Sequence, residues 1–447
     1  MRKMLSFKII SDELQDRFLV PFYKVLKITK QYPLTVEKVA EQITNGIDLR
    51  EYKEEGTPYL RGMDIKRCQV DMLSAKRVNF PIDDIPEKIK LAEGDILITR
   101  KGTVGVTSVV SSDCKDVIIG TEIIKVRLKV DAPISPEYFY TLINSKIGMM
   151  QIYSKMTGTV SKGINHPSLK TVKIPTLSQT DQDKIDLWVK EAKKKHTLSL
   201  SILKEAIKLI EDKFGKFKAK EENYYKISSD DLEDAITPRF YYPRYVKTIN
   251  KIKNNFKTIK LKEIADISKG EEIGSENYRT YLDKEETDVP FIRTSDLPNF
   301  ELDDYPDYYV DESIYESLNQ NVEQGDIIFT KDGKIGLTAI VTDADKCVLS
   351  SGLSIIKPKN KEDTAYIFTI LSSFIGKFQA IQHTVISSTL PHFNMERLAE
   401  IEIPIIDDKF KEKIKEKIIK AFELKKEKKL LIRQAKKLIE KKFLEDS

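Results

Sequence analysis

Two short stretches of the sequence combine cations with glycines at fixed places: Arg100-Lys101-Gly102-Thr103-Val104-Gly105 and Lys331-Asp332-Gly333-Lys334-Ile335-Gly336. Arg and Lys donate to phosphate oxygens and to the guanine edge in the major groove, and backbone amides freed by glycine suit the same acceptors. These residues therefore fit the holding of phosphates or base edges. A Walker loop is excluded, because it places its lysine after the last glycine with Ser or Thr next, whereas Lys101 precedes Gly102. The β-branched runs Ile96 to Thr99 and Val106 to Val110 flank the first stretch, which becomes the loop of a predicted hairpin. A solvated hairpin tip is the plainer alternative, and recurrence of the pattern at the same place weighs against it.

A second candidate surface precedes each Ile-Pro dipeptide. The stretches are MTGTVSKGINHPSLKTVKIP from Met156 and HTVISSTLPHFNMERLAEIEIP from His383. Their Thr, Ser, Asn and His side chains, with Lys162 in the first, are short donors and acceptors of the kind that position a groove contact. His166 and His392 are expected in corresponding loops. The four histidines show no helical i, i+4 pairing, and nothing in their spacing suggests a metal site. No Gly-x-Ser-x-Gly elbow, His-Glu-x-x-His helix, dinucleotide fingerprint or methyltransferase Pro-Pro-aromatic motif is present. The expectation is a chain without catalytic residues, metal or cofactor.

The elements that must position these groups come twice. TPYLRGMDI from Thr57 matches VPFIRTSDL from Val289, EIIKVRLK from Glu122 matches SIIKPK from Ser354, and EYFYTLINSKIG from Glu137 matches AYIFTILSSFIG from Ala365. RFLVPFY from Arg17 matches RFYYPRY from Arg239, and AIKLIEDKF from Ala206 matches AKKLIEKKF from Ala435. Such self-similarity signals an internal repeat. Before each Ile-Pro lie short β-branched segments broken by turns, with one helical stretch. After it comes a proline-free, Lys/Glu-rich run, Gln182 to Phe217 and Phe410 to Leu444, read as a long helix. Apolar stripes through Ala192, Ser199, Ile202, Ala206 and Leu209, and through Ala421, Leu424, Leu431, Ala435 and Leu438, suit a two-stranded coiled coil. Packing of each helix on its own domain is the alternative.

The fold class expected is therefore α+β: two similar α/β domains alternating with two long helices that pair as an antiparallel coiled coil, a pseudo-twofold internal repeat. The boundaries read 1–30 for an N-terminal segment, 31–181 for the first domain, 182–222 for the central helix, 223–255 for a connector, 256–408 for the second domain and 409–447 for the last helix. A chain of 447 residues exceeds what one core usually supports. Its 75 basic and 70 acidic residues leave +5, so net charge identifies no partner. Three cysteines without Cys-x-x-Cys spacing point away from disulfides and zinc, and no long apolar run suggests a signal or a membrane span; a cytoplasmic protein is expected.

The order of globular domain ending in Ile-Pro, long helix, and both again, with GDILITRKGTVG, GDIIFTKDGKIG and STLPHFNMERLAEIEIP from Ser388, resembles the specificity subunits of type I restriction-modification systems. The resemblance covers nearly the whole chain. It implies two target recognition domains, each reading one half of a bipartite double-stranded DNA target. The helices are then a coiled-coil spacer that docks two methyltransferase (modification) subunits, with a restriction/translocase subunit as a further partner. Related specificity modules occur in other methylation-based phage-defence systems and in type II restriction enzymes, so the parent system stays open. The DNA-contacting candidates are Arg61, Arg100, Lys101, Thr103, Lys162 and His166 in the first half and Arg293, Lys331, Lys334, Ser388, His392 and Asn394 in the second. The rival readings are a coiled-coil scaffold that binds proteins through its globular ends, and a nuclease or methyltransferase acting alone.

Overall fold

The computed structural model describes residues 25, 27–53, 55–67, 69–114, 116–158, 162–215, 224–229, 232, 237–386 and 391–445. RFLVPFY and Ser388 lie outside them. The chain divides into two compact units: Met1–Lys193 with Leu430–Ser447, and Lys194–Lys429. Both long helices, Gln179–Phe214 and Asp408–Glu440, are shared between the units.

In the first unit an antiparallel sheet runs in the order 40–45, 123–128, 96–99, 107–109. A smaller sheet runs 52–53, 76–78, 57–60, 118–119, its last pair parallel. Leu60, Leu97, Val106, Ile119 and Ile123 fill one core between strands of both sheets. The second unit repeats this order with 265–269, 353–358, 327–330, 338–340 and with 279–280, 308–310, 289–292, 348–349, again ending in a parallel pair. The inner strands are buried at every position, which is why Ile96–Thr99 and Ile327–Thr330 read as continuous apolar runs.

Pairing places Ile124 opposite Ile98 and Ser354 opposite Phe329. Glu122 thus corresponds to Gly352, not to Ser354 as the sequence match suggests. The match is off by two residues because a strand's side chains alternate with period two, and a slip of two keeps every apolar residue on its own face.

Each expected helical stretch is two helices, Pro136–Asn144 with Lys146–Ser154 and Thr364–Ser372 with Phe374–Gln382. Ser145 and Ser373 break them, since each hydroxyl accepts a backbone N–H of the following helix and caps it. The second pair bends by 60° and is buried in its unit's core. Among the described residues no single helix is long and apolar enough to cross a membrane. The Ile-Pro ends are pinned in the same way in both units. Tyr138 and Tyr366 donate to the carbonyls of Pro175 and Pro404, each at 2.7 Å. Gln151 and Gln379 clamp the backbones of Lys173 and Glu402 through both amide atoms.

The first long helix begins three residues before the expected Gln182, because Ser178 accepts from Asp181 N. It stops at Phe214, where Gly215 turns left-handed (φ 70°) and its N–H returns to the Glu211 carbonyl, a glycine helix stop. Within the second unit Leu203, Ala206 and Ile210 share a core with Ile414, Ile418 and Ala421. Lys195 Nζ lies 2.5 Å from Glu427 and Lys417 Nζ lies 2.7 Å from Glu205. Ten residues forward on one helix thus match ten residues back on the other.

The Lys-rich face is not wholly solvated. Lys425, Lys428 and Lys429 are buried against the loop from Pro298. Lys425 donates to the Asn299 carbonyl at 2.8 Å and lies 3.5 Å from Glu301. Lys428 pairs with Glu301, and Lys429 with Asp304 at 3.0 Å and Asp345 at 2.6 Å. Asn299 and Phe300 hold this loop in left-handed conformations, φ 50° and 66°, which a non-glycine residue adopts only under tertiary constraint. Burial pushes the neighbouring His196 imidazole well below its usual range, with Lys428 and Lys425 adding to the shift. Among the described residues these ion pairs join three lysines to three carboxylates.

Candidate functional site

The first loop hangs between strands Ile96–Thr99 and Thr107–Val109 as a wired turn. Gly105 N–H donates to the Thr99 carbonyl at 2.8 Å, Val106 N–H to Thr99 Oγ1 at 3.0 Å, and Thr99 Oγ1 to the Thr103 carbonyl. The second loop has the same wiring: Gly336 N–H to the Thr330 carbonyl at 3.0 Å, Leu337 N–H to Thr330 Oγ1 at 2.9 Å, and Thr330 Oγ1 to the Lys334 carbonyl. The glycines serve the turn itself, since Gly102, Gly105, Gly333 and Gly336 all have φ between 68° and 87°. A Cβ on Gly105 would also lie 3.0 Å from Ile152 Cγ2. Gly105→Ala should lower stability by about 1–2 kcal/mol, read as a shifted denaturant midpoint.

Three stretches that are far apart in sequence meet at each loop. In the first unit Lys101 forms a β-bridge with Gly163, and Ile164 N–H donates to the Arg100 carbonyl at 3.1 Å. Gly62, at the end of TPYLRG, donates to Glu122 Oε2 at 3.0 Å, while Arg100 N–H donates to the Glu122 carbonyl at 2.8 Å. In the second unit Asp332 bridges to His392, Phe393 N–H donates to the Lys331 carbonyl at 2.8 Å, and Lys331 N–H donates to the Gly352 carbonyl at 3.0 Å. The knot, the Arg-containing strand end and the segment before Ile-Pro thus form one site in each unit.

The candidate side chains differ in how free they are. Lys101, Thr103 and Lys162 are exposed. Arg100 makes no ion pair among the described residues, and its Nε is buried without a hydrogen-bond partner among them. Arg61, by contrast, is held by Asp64 through two nitrogens, 3.0 and 2.9 Å, and by the Ser74 carbonyl. Arg293 pairs with Asp296 and Asp307 and stacks on Tyr308 at 4.4 Å. Lys331 is only 7% exposed, its amino group 2.7 Å from Asp332, so it is no solvated loop cation. Lys334 is half-buried. Asn394 is exposed and caps helix Met395–Ala399 by accepting from Glu396 N, as Asn165 caps His166–Lys170.

That pairing of caps sets the register of the two histidines within the corresponding loops. His166 stands where the second unit has Met395, and His392 stands where the first has Gly163, so they are not equivalent. A three-residue difference inside matching loops hides behind the shared Pro and His letters. His166 Nε2 is 2.8 Å from Asn45 Oδ1, and burial, then Arg100 and Lys170, lowers its pKa below the usual imidazole value. His392 Nδ1 pairs with Asp332. Glu122 and Asp332, two carboxylates at the sites, escape a search for basic patterns.

Residues 253–434 match a family model described as type I restriction modification DNA specificity domain. The matched stretch contains the whole of the second site, from Arg293 to Asn394. No curated protein matches the chain. Among solved structures it is similar to the type I restriction-modification system S subunit from M. genitalium, at 15% identity over 93% of this chain and 98% of the other, TM-score 0.36. It is also similar to the HsdS subunit from Thermoanaerobacter tengcongensis, at 15% identity over 93% and 96%, TM-score 0.30.

Proposed function

We propose that the chain is the DNA-specificity subunit of a type I restriction-modification complex and that each unit reads one half of a bipartite target. The observation that carries this is the recurrence, in both units, of one wired loop meeting the same two partner stretches, with Arg100 and Lys101 in no ion pair among the described residues of the first. Direct readout needs such donors on a rigid frame, and phosphate contacts need exposed cations such as Lys162. The chain itself does no chemistry in this reading; modification subunits supply the methyl transfer.

The two long helices act as an antiparallel coiled-coil spacer relating the recognition domains by a pseudo-twofold repeat. The ten-residue match between Lys195–Glu427 and Glu205–Lys417 supports the antiparallel sense. Leu187, Leu198, Ile419 and Leu430, apolar yet exposed on these helices, support docking of modification subunits there. Helices of 36 and 33 residues span about 50 Å at ~1.5 Å per residue. That exceeds one turn of DNA, about 34 Å, so unread base pairs separate the half-sites. Inserting residues into both helices in register should lengthen the spacer and leave both half-sites unchanged, as read by mapping methylated positions in host DNA. A continuous target would overturn this reading.

A further inference from the structure

The two sites are built alike, but each carries a different carboxylate, and a reciprocal exchange of small and large residues decides which. Where the first unit has Gly62 and Glu122, the second has Thr294 and Gly352. A Cβ on Gly62 would lie 3.1 Å from Glu122 Oε2 and 3.4 Å from its Cβ. A Cβ on Gly352 would lie 2.8 Å from Thr294 Cγ2, closer than real contacts allow. The first site therefore has room for a side chain at 122 because position 62 has none, and the second has room at 294 because 352 has none. The second site's carboxylate comes instead from Asp332, the counterpart of Lys101.

The two carboxylates are also held differently. Asp332 spends one oxygen on Lys331 and the other on His392. Glu122 is exposed; its Oε2 accepts from Gly62 N–H, and Oε1 has no partner among the described residues. A carboxylate beside a cationic loop faces the phosphates of bound DNA and weakens binding unless it accepts a hydrogen bond there. The base-edge donors in the major groove are cytosine N4 and adenine N6, and Glu is the usual acceptor for cytosine N4.

We infer that Glu122 is a specificity-determining residue of the first unit, accepting the cytosine amino group at one base pair of the half-site that Arg100 also contacts. This rests on the DNA-reading function proposed above. Gly62 is the positioning partner: its N–H fixes Oε2 and its missing side chain leaves the space.

The test compares the complete complex with modification subunits in three forms, wild type, Glu122→Gln and Arg100→Ala. Each is assayed for methylation of a duplex pool with single-base changes across both half-sites. Glutamine keeps an acceptor for Gly62 N–H, so a purely structural role is left intact, and unfolding midpoints should coincide. Glu122→Gln is expected to reduce discrimination at one C·G pair by about 5- to 150-fold, with adenine newly tolerated there and the other half-site unaffected. If Glu122→Gln methylates the wild-type set while Arg100→Ala alters one half-site, Glu122 is not a reader and the proposed function stands. Equal relaxation of both half-sites by Glu122→Gln, a general charge effect, would also overturn the inference. If neither substitution changes the set, the proposed function falls with it.

Discussion

Glu301→Ala should destabilise the unit of residues 194–429 by about 3–5 kcal/mol, the usual cost of removing one partner from a buried ion cluster. Glu301 is 2% exposed and faces Lys425 and Lys428, themselves 1% and 4% exposed. Alanine would leave both ammonium groups without their carboxylate in a site that water does not reach. Replacing a whole ion group by apolar residues of similar volume is often near neutral, so Glu301→Leu with Lys425→Met and Lys428→Met should recover much of the loss. Denaturant unfolding of the full chain, followed for this unit, checks both outcomes.

The same residue gives the unit an acid sensitivity. Burial alone would raise the Glu301 pKa, but Lys425, Lys428 and Lys429 outweigh it and hold the carboxyl well below its ordinary value of 4.5. A depressed carboxylate pKa contributes stability that is present above the unfolded value and lost as pH falls toward the folded one. Stability should therefore decline below about pH 4.5, and the decline should be shallower in Glu301→Gln.

Arg100→Ala should cost about 1–3 kcal/mol of binding and relax discrimination at one base pair of one half-site if the guanidinium reads guanine. A phosphate contact predicts something else: binding weakens evenly across sequences and the salt slope falls by about one unit. Arg100 is the arginine for which the effect should be largest, since Arg61 and Arg293 are already committed to carboxylates. Arg61→Ala should act mainly on stability, through the loss of Asp64's partner. Binding of each variant, in complex with its modification subunits, to targets changed in either half separates these outcomes.

Much of the fold was legible because it rests on local pattern. Continuous apolar runs marked Ile96–Thr99 and Ile327–Thr330, and the flanked glycines marked the loops between paired strands. The helix ends were also written in the sequence, in Ser178, Gly215 and Asp407, whose side chain accepts from Phe410 N–H at 2.9 Å, though a periodicity count passes over them. The register of the strand after Glu122 was not legible, because period-two patterns tolerate a slip of two residues. Nor were the roles of the lysines. Nothing local distinguishes Lys425, buried on Glu301, from Lys426, half-buried on the next position of the same helix and paired with Asp343.

The sequence by itself determined that the chain repeats one plan, where its loops and long helices lie, and that glycines recur at the third and sixth loop positions. Those are consequences of periodicity and of backbone conformations few residues adopt. Only the tertiary structure decided which cations remain free to meet a ligand. Arg61 and Arg293 each have an Asp three residues on, a pairing the turn itself sets, but Asp307 reaches Arg293 only in the folded chain, and among the described residues no carboxylate pairs with Arg100. Pairing of charges depends on distances that sequence spacing sets only within a helix or a turn, so the division between structural and reading cations arises when the three stretches of each site fold together.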